Sequence, residues 1–304
     1  DDGEECKIKY LNNMPKNIKI INDITLREKD ISNLPISLLI LSCTLEDNIH
    51  YDFSHLVNLK SLHCGGHDHS QITLPNSLIK FRCHIDKNIK IYNLPNSLKS
   101  LEYHKSLVSL PELPDSLEIL ICSNNKIEEL PKLPNSLEIL DCSNNNIKEL
   151  PKLPSSLKKL ICNTNDIKNL PALPNNLLEL NITNTFVKYL PILPKSLKLL
   201  LCINCSLQKL SELPDSLEIL DCSHNFISQI TNLPKSLTNL NCKNNKISEL
   251  TNLPEKLITL TCDNNNISEL SNLPGKINYI SCINNNNLQI NEKLPRTLKN
   301  LKKK

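Results

Sequence analysis

The chain has 304 residues and a formal net charge of +3, its Lys and Arg nearly balancing its Asp and Glu. That balance excludes a general electrostatic pull toward nucleic acid or an anionic membrane, and no apolar run approaches the roughly 18 residues that a membrane-spanning helix needs. With 3% aromatic residues, no Trp, and 4 Gly against 19 Pro, a core of large rings is excluded, and frequent chain reversals are expected to use Pro-set, extended corners rather than Gly-dependent hairpin turns.

In chain order, residues 1–17 form an N-terminal segment or cap with an acidic start, Asp1, Asp2, Glu4 and Glu5, and no signal-peptide pattern. From 18 to 116 the sequence repeats itself irregularly, with units starting at Ile18, Leu38, Leu59, Leu78 and Leu98. From 117 to 297 the period is a strict 20, starting at Leu117, Leu137, Leu157, Leu177, Leu197, Leu217, Leu237, Leu257 and Ile277. A terminal partial turn at 298–301 begins with Leu298, and the basic tail 302–304 follows. These starts make about 15 repeats, a periodicity that specifies a stacked array rather than separable globules.

Each regular unit reads LxxLxCxxNxIxxLPxLPxS. Positions 4 and 6 are apolar, as in Leu120 and Cys122 or Leu140 and Cys142, which is the period of a short strand with one buried face. Successive strands are expected to stack in parallel, because no single unit can bury its own apolar face. Position 9 is Asn125, Asn145, Asn165, Asn225, Asn245, Asn265 and Asn285. An amide there is expected to bond backbone groups of its own and adjacent turns where the strand ends, forming a structural ladder. The return leg carries paired prolines, such as Pro131 with Pro134 and Pro151 with Pro154. Their fixed φ and missing N–H exclude an α-helix and predict an extended, polyproline-like back. From Ser211 onward the first Pro is replaced, while Pro214, Pro234, Pro254 and Pro274 keep the second.

Over residues 18–301 these motifs resemble the leucine-rich-repeat superfamily. The 20-residue LPxLPxS subtype is similar to the repeats of bacterial effectors of the YopM and IpaH kind, and the Asn-, Lys- and Ile-rich filling with Cys in the strand is similar to repeat proteins of giant DNA viruses. The resemblance implies a leucine-rich-repeat solenoid with a curved parallel β-sheet on its concave face. It also implies a partner-facing binding scaffold inside a cell, in the cytoplasm, a host's included, or in the nucleus. The helical N-terminal cap and the ubiquitin-ligase domain of the effector type have no match in these residues. A substrate-recognition arm of a larger enzyme is therefore the second reading.

Of 13 Cys, eleven occupy position 6: Cys43, Cys64, Cys83, Cys122, Cys142, Cys162, Cys202, Cys222, Cys242, Cys262 and Cys282. Cys205 takes the ladder position and Cys6 lies outside the register. The pattern predicts small buried side chains that stay reduced, which favours a reducing compartment.

Function in such an array is expected on the outward strand positions 3, 5 and 7. The candidate partner-binding residues there are Ile119, Ile121, Ile139, Asp141, Lys159, Ile161, Glu179, Leu199, Leu201, Ile203, Ile219 and Asp221. Apolar side chains recurring on neighbouring turns mark a contact surface, whereas Asn239, Asn241, Thr259, Thr261 and Ser281 read as solvated scaffold. The partner class is protein, with neither nucleic acid nor membrane insertion expected. Seven of the eight His fall between His50 and His104. In the repeat register His63, Arg82 and Glu102 share position 5, and His84 shares position 7 with His104. His63, His67, His69, His84 and His104 are candidate zinc ligands by donor type, but no specific metal-ligand spacing accompanies them. No metal, cofactor or catalytic residue is assigned, since the sequence holds no nucleophile elbow, phosphate loop or metalloprotease motif.

Overall fold

The computed structural model describes residues 14–46, 50–66, 71–85, 90–91, 93–104, 107–286, 288–290 and 294–303. They divide into two compact units, residues 1–145 and 146–304.

In the first unit, seven strands follow one another in a parallel sheet: Ile20–Leu26, Ile40–Leu45, Ser61–Gly66, Lys80–Ile85, Ser100–His104, Ile119–Ile121 and Ile139–Asp141. The pairing aligns Leu41, Leu62, Phe81, Leu101, Leu120 and Leu140 in one row, each almost wholly buried. The irregular early turns carry a second parallel sheet, His50–Asp52, Gln71–Thr73 and Lys90–Ile91, which buries Tyr51 and Ile72. They also carry a one-turn helix, Glu28–Ile31, entered where Arg27 N donates to Asp30 Oδ2 (3.0 Å). No proline interrupts the chain between Pro15 and Pro35, so an α-turn is permitted there and excluded in the later return legs.

In the second unit the parallel order is Lys159–Ile161, Glu179–Asn181, Leu199–Leu201, Ile219–Asp221, Asn239–Asn241, Thr259–Thr261, Tyr279–Ser281 and Asn300–Lys302. Leu160, Leu180, Leu200, Leu220, Leu240, Leu260 and Ile280 align at 20-residue intervals. A two-residue pair, Glu269–Leu270 with Gln289–Ile290, runs on the return side. Among the described residues, no helix is long and apolar enough to cross a membrane.

Three side-chain devices hold one turn to the next. The position-9 Asn fills the strand exit. Asn225 Nδ2 reaches the carbonyls of Cys202 (2.8 Å), Cys222 (3.0 Å) and Ser223 (3.1 Å), while its Oδ1 accepts from Cys205 N (3.1 Å) and Leu207 N (2.9 Å). Asn145, Asn265 and Asn285 repeat the arrangement on Ile127, Ile247 and Ile267 N–H. Where the ladder residue is Thr185 or Cys205, both donate to the Ile182 carbonyl instead (2.7 and 3.0 Å). Where a Ser closes the unit it ties back one turn, as Ser196 Oγ does to Leu177 O (2.6 Å). The second Pro of the return leg begins a tight turn in which the next Leu N–H bonds its carbonyl, as Leu197 N does to Pro194 O (3.1 Å).

Reversal does not rest on proline corners alone, as composition had suggested. Position 8 adopts the left-handed conformation at Asn124, Asn144, Thr164, Asn184, Asn204, His224, Asn244, Asn264 and Asn284, with φ between 53° and 59°. Asn tolerates that region better than other residues with a Cβ, so it replaces the scarce Gly. Neighbouring amides then pair, as in Asn204 Nδ2 to Asn184 Oδ1 (3.0 Å). In three return legs that lack the first Pro, though not at Ser211-Glu212, a second left-handed Asn appears, at Asn232, Asn252 and Asn272.

The twelve described cysteines are free and buried. Burial pushes the thiols of Cys43, Cys202 and Cys242 well up from their ordinary range, so they act as small apolar side chains rather than nucleophiles.

Three outcomes follow from this construction. Asn225→Ala leaves buried backbone groups unpaired and should lower stability by at least about 2 kcal/mol, read as an earlier urea midpoint. Thr164→Asn relieves a β-branched residue held at φ 55° and should raise stability by about 1 kcal/mol in the same assay. Iodoacetamide should alkylate none of the twelve thiols in the native protein and all of them in denaturant, read by peptide mass mapping.

Candidate functional site

The short strands of the second unit present positions 3 and 5 outward, because period-2 alternation buries position 4 between them. Row 3 runs Lys159, Glu179, Leu199, Ile219, Asn239, Thr259; row 5 runs Ile161, Asn181, Leu201, Asp221, Asn241, Thr261. The register therefore brings Leu199 beside Ile219, with Leu201 two residues along the same strand and Ile203 in the turn beyond. Leu199, Leu201 and Ile219 make one apolar block on the sheet, and Ile203 follows it in sequence. Ile161 stands apart from it, separated from Leu201 by the Asn181 strand. Most of these side chains are only half exposed, since in-register neighbours lie against one another, and Ile219 is the most open at 37%.

The charged candidates are already engaged within the unit. Lys159 Nζ pairs with Glu179 Oε2 (2.7 Å). Asp221 Oδ1 accepts from Ser223 N (3.0 Å) and Ser223 Oγ (2.6 Å), and its Oδ2 accepts from Asn241 Nδ2 (2.8 Å). In the first unit Ile119 pairs with Ile139, and Ile121 with Asp141. Asp141 is tied to Ser143 N (3.0 Å) and Oγ (2.6 Å).

The histidine group lies on the outward face of the first unit. Register places His63, Arg82 and Glu102 in one row, with Gly65, His84 and His104 in the next. Arg82 Nε donates to Glu102 Oε2 (2.6 Å), and His104 Nε2 lies 2.6 Å from Glu102 Oε1. The His84 and His104 rings lie tilted by 39° with centroids 4.5 Å apart, and His63 stands edge-on to His84 at 5.2 Å. Partial burial, reinforced by the neighbouring His104 and His63, lowers the His84 pKa. For Glu102, partial burial alone would raise the carboxyl, but hydrogen bonds from Arg82 and His104 outweigh it and hold the pKa below the usual range. His84 Nε2 is shielded from water and has no hydrogen-bond partner. Among the described residues, His84, Glu102 and His104 form a group of three whose donor atoms all lie within 4.8 Å of one another. His63 touches this group without joining it, and His67 and His69 lie outside the described residues.

Reading only strand positions missed the most exposed apolar side chains. In the second unit Phe186, Tyr189 and Ile192 reach 55%, 60% and 91% exposure, and Phe226 lies off the strands with Lys246 Nζ 5.3 Å from its ring centre. The signal was available. Position 10 is polar in most turns (Lys126, Asn146, Asp166, Lys246, Asn266), and Phe186 and Phe226 break that rule.

No protein-family model and no curated protein sequence matches the chain. Among solved structures, YopM from Yersinia enterocolitica WA-314 is similar with a TM-score of 0.77 and 31% identity, covering 95% of this chain and 69% of that one. YopM from Yersinia pestis, described as a leucine-rich effector protein, gives 0.72 and 30%, covering 89% of this chain and 78% of that one. CroV588, a circular leucine-rich-repeat protein of a giant virus, shares the fold at 0.56 and 23%, covering 96% of this chain and 54% of that one. The strand stack in each unit, the 20-residue register and this identity to two YopM structures together place the chain in the leucine-rich-repeat family to which YopM belongs.

Proposed function

We propose that the second unit docks a protein partner on its outward sheet face, centred on Leu199, Leu201, Ile203 and Ile219. The leucine-rich-repeat fold is a protein-interaction scaffold, and the reading assigns that scaffold a face. One observation carries it: Leu199, Leu201 and Ile219 lie together in rows that turn polar at Asn239, Asn241, Thr259 and Thr261, with Ile203 in the turn just past Leu201. An apolar centre with a polar rim is the usual anatomy of a contact surface. The Lys159–Glu179 pair and Asp221 border the block and suit register and orientation more than affinity, because pairs that remain half exposed contribute little. Ile119, Ile121 and Ile139 make a comparable block on the first unit, and the same role is assigned to it separately. The role is binding rather than catalysis. The effector description of the Yersinia pestis relative and the buried free thiols both support a partner met inside a cell, where thiols stay reduced.

The test compares capture by immobilised protein from a eukaryotic cytosolic lysate. The double variant Leu199→Asp/Leu201→Asp should lose a specifically captured protein by about tenfold or more while keeping its circular dichroism and melting temperature. Undiminished capture discards this face. If Phe186→Ser/Tyr189→Ser abolishes capture instead, the contact surface lies off the sheet.

A further inference from the structure

We infer that the outward face of the first unit carries a site for a divalent transition-metal ion of the zinc type, with His84, Glu102 and His104 as its ligands. The inference is independent of the docking face on the second unit.

Topology builds the site. Glu102 and His104 are two residues apart on strand Ser100–His104, so alternation sends both to the same face. His84 pairs with His104 across the parallel ladder, about 4.8 Å away at the backbone. Two imidazoles and a carboxylate, donors that zinc accepts, are thus held by three adjacent points of a rigid sheet. Their donor atoms lie within 4.8 Å of one another. Rotations about the side-chain bonds bring such a set to the ~3.3 Å separations that bonds of about 2.0–2.2 Å require in tetrahedral geometry.

Two further features point to a ligand rather than to a closed polar patch. His84 Nε2 is sheltered from water yet unpartnered, although its neighbours in the group are bonded to each other. Glu102 divides its two oxygens, Oε2 taking Arg82 and Oε1 facing His104. A metal inserted at Oε1 leaves the Arg82 bond in place as an outer support that orients the ligand carboxylate. Arg82 is also the opposing charge at the site, and Glu102 offsets it. Next to His84 the register sets Gly65, which contributes no side chain, and a Cβ there would meet only the His84 carbonyl at 3.6 Å. On that side the His63 ring stands edge-on to His84, and a fourth ligand such as water would complete the tetrahedral set.

The experiment uses the full chain purified without a histidine tag and treated with chelator. Co²⁺ is titrated optically and Zn²⁺ by calorimetry. One ion per chain is expected, with visible Co²⁺ bands of a tetrahedral nitrogen and oxygen site. His84→Gln and His104→Gln should each weaken binding by at least about tenfold, while His224→Gln leaves it unchanged. Circular dichroism of the metal-free variants reports whether they fold. Absence of one-to-one binding overturns the assignment, as does affinity unchanged in both ligand variants. Intense near-ultraviolet sulfur-to-cobalt bands in the wild-type protein, which would place the ion on the cysteines, also overturn it and need no variant.

Discussion

A short closed turn of chain points many backbone N–H and C=O groups at its own interior and edges, and the fold exists because the neighbouring turn pairs with them. Asn225 shows how demanding this is. A single amide reaches three carbonyls and accepts two N–H groups, linking the turn that holds Cys202 and Cys205 to its own. Where the amide is replaced, Thr185 and Cys205 keep a bond to the Ile182 carbonyl, and Cys205 Sγ accepts from Thr185 Oγ1. The irregular early turns bury the large rings of Tyr51, Phe53 and Phe81, whereas in the regular 20-residue turns Leu rows and small Cys side chains fill the interior, and the thiols become packing material.

Because one face of every strand is committed to that interior, the outward residues are free to vary, and the register makes their variation spatial. Identical spacing brings position 3 of one turn beside position 3 of the next. Leu199 and Ile219, distant in sequence, become one surface, and so do His84 and His104. The two faces differ in chemistry. An apolar block suits a large, dry contact with a protein, whereas paired imidazoles around a carboxylate suit a small, strongly coordinating ion. Neither demands anything of the interior.

The scaffold also limits which charged residues remain available. Asp141 and Asp221 looked like partner contacts, yet each bonds the Ser two residues on at its strand exit. Lys159 and Glu179 satisfy one another across the ladder. On the proposed docking face the apolar members would then be the main source of binding energy, since a partner gains little by competing for oxygens already bonded.

The sequence by itself determined the repeat, the parallel stacking, the buried Leu and Cys rows and the return leg without an α-helix. Those features follow from a 20-residue period and from proline's missing N–H, which act locally. It also set the rows of the histidine group, because strand register follows from counting. Tertiary structure alone decided which side chains bond and which remain open. Glu102 joins His84 and His104 through side-chain geometry that counting cannot supply. Asp221 turns back toward Ser223, and Asn rather than Gly takes the left-handed turn at position 8. Phe186, Tyr189 and Ile192 stand exposed beyond the strands. The physical reason is that the period fixes the backbone path, while each polar atom's partner depends on distances between turns that exist only once they are stacked.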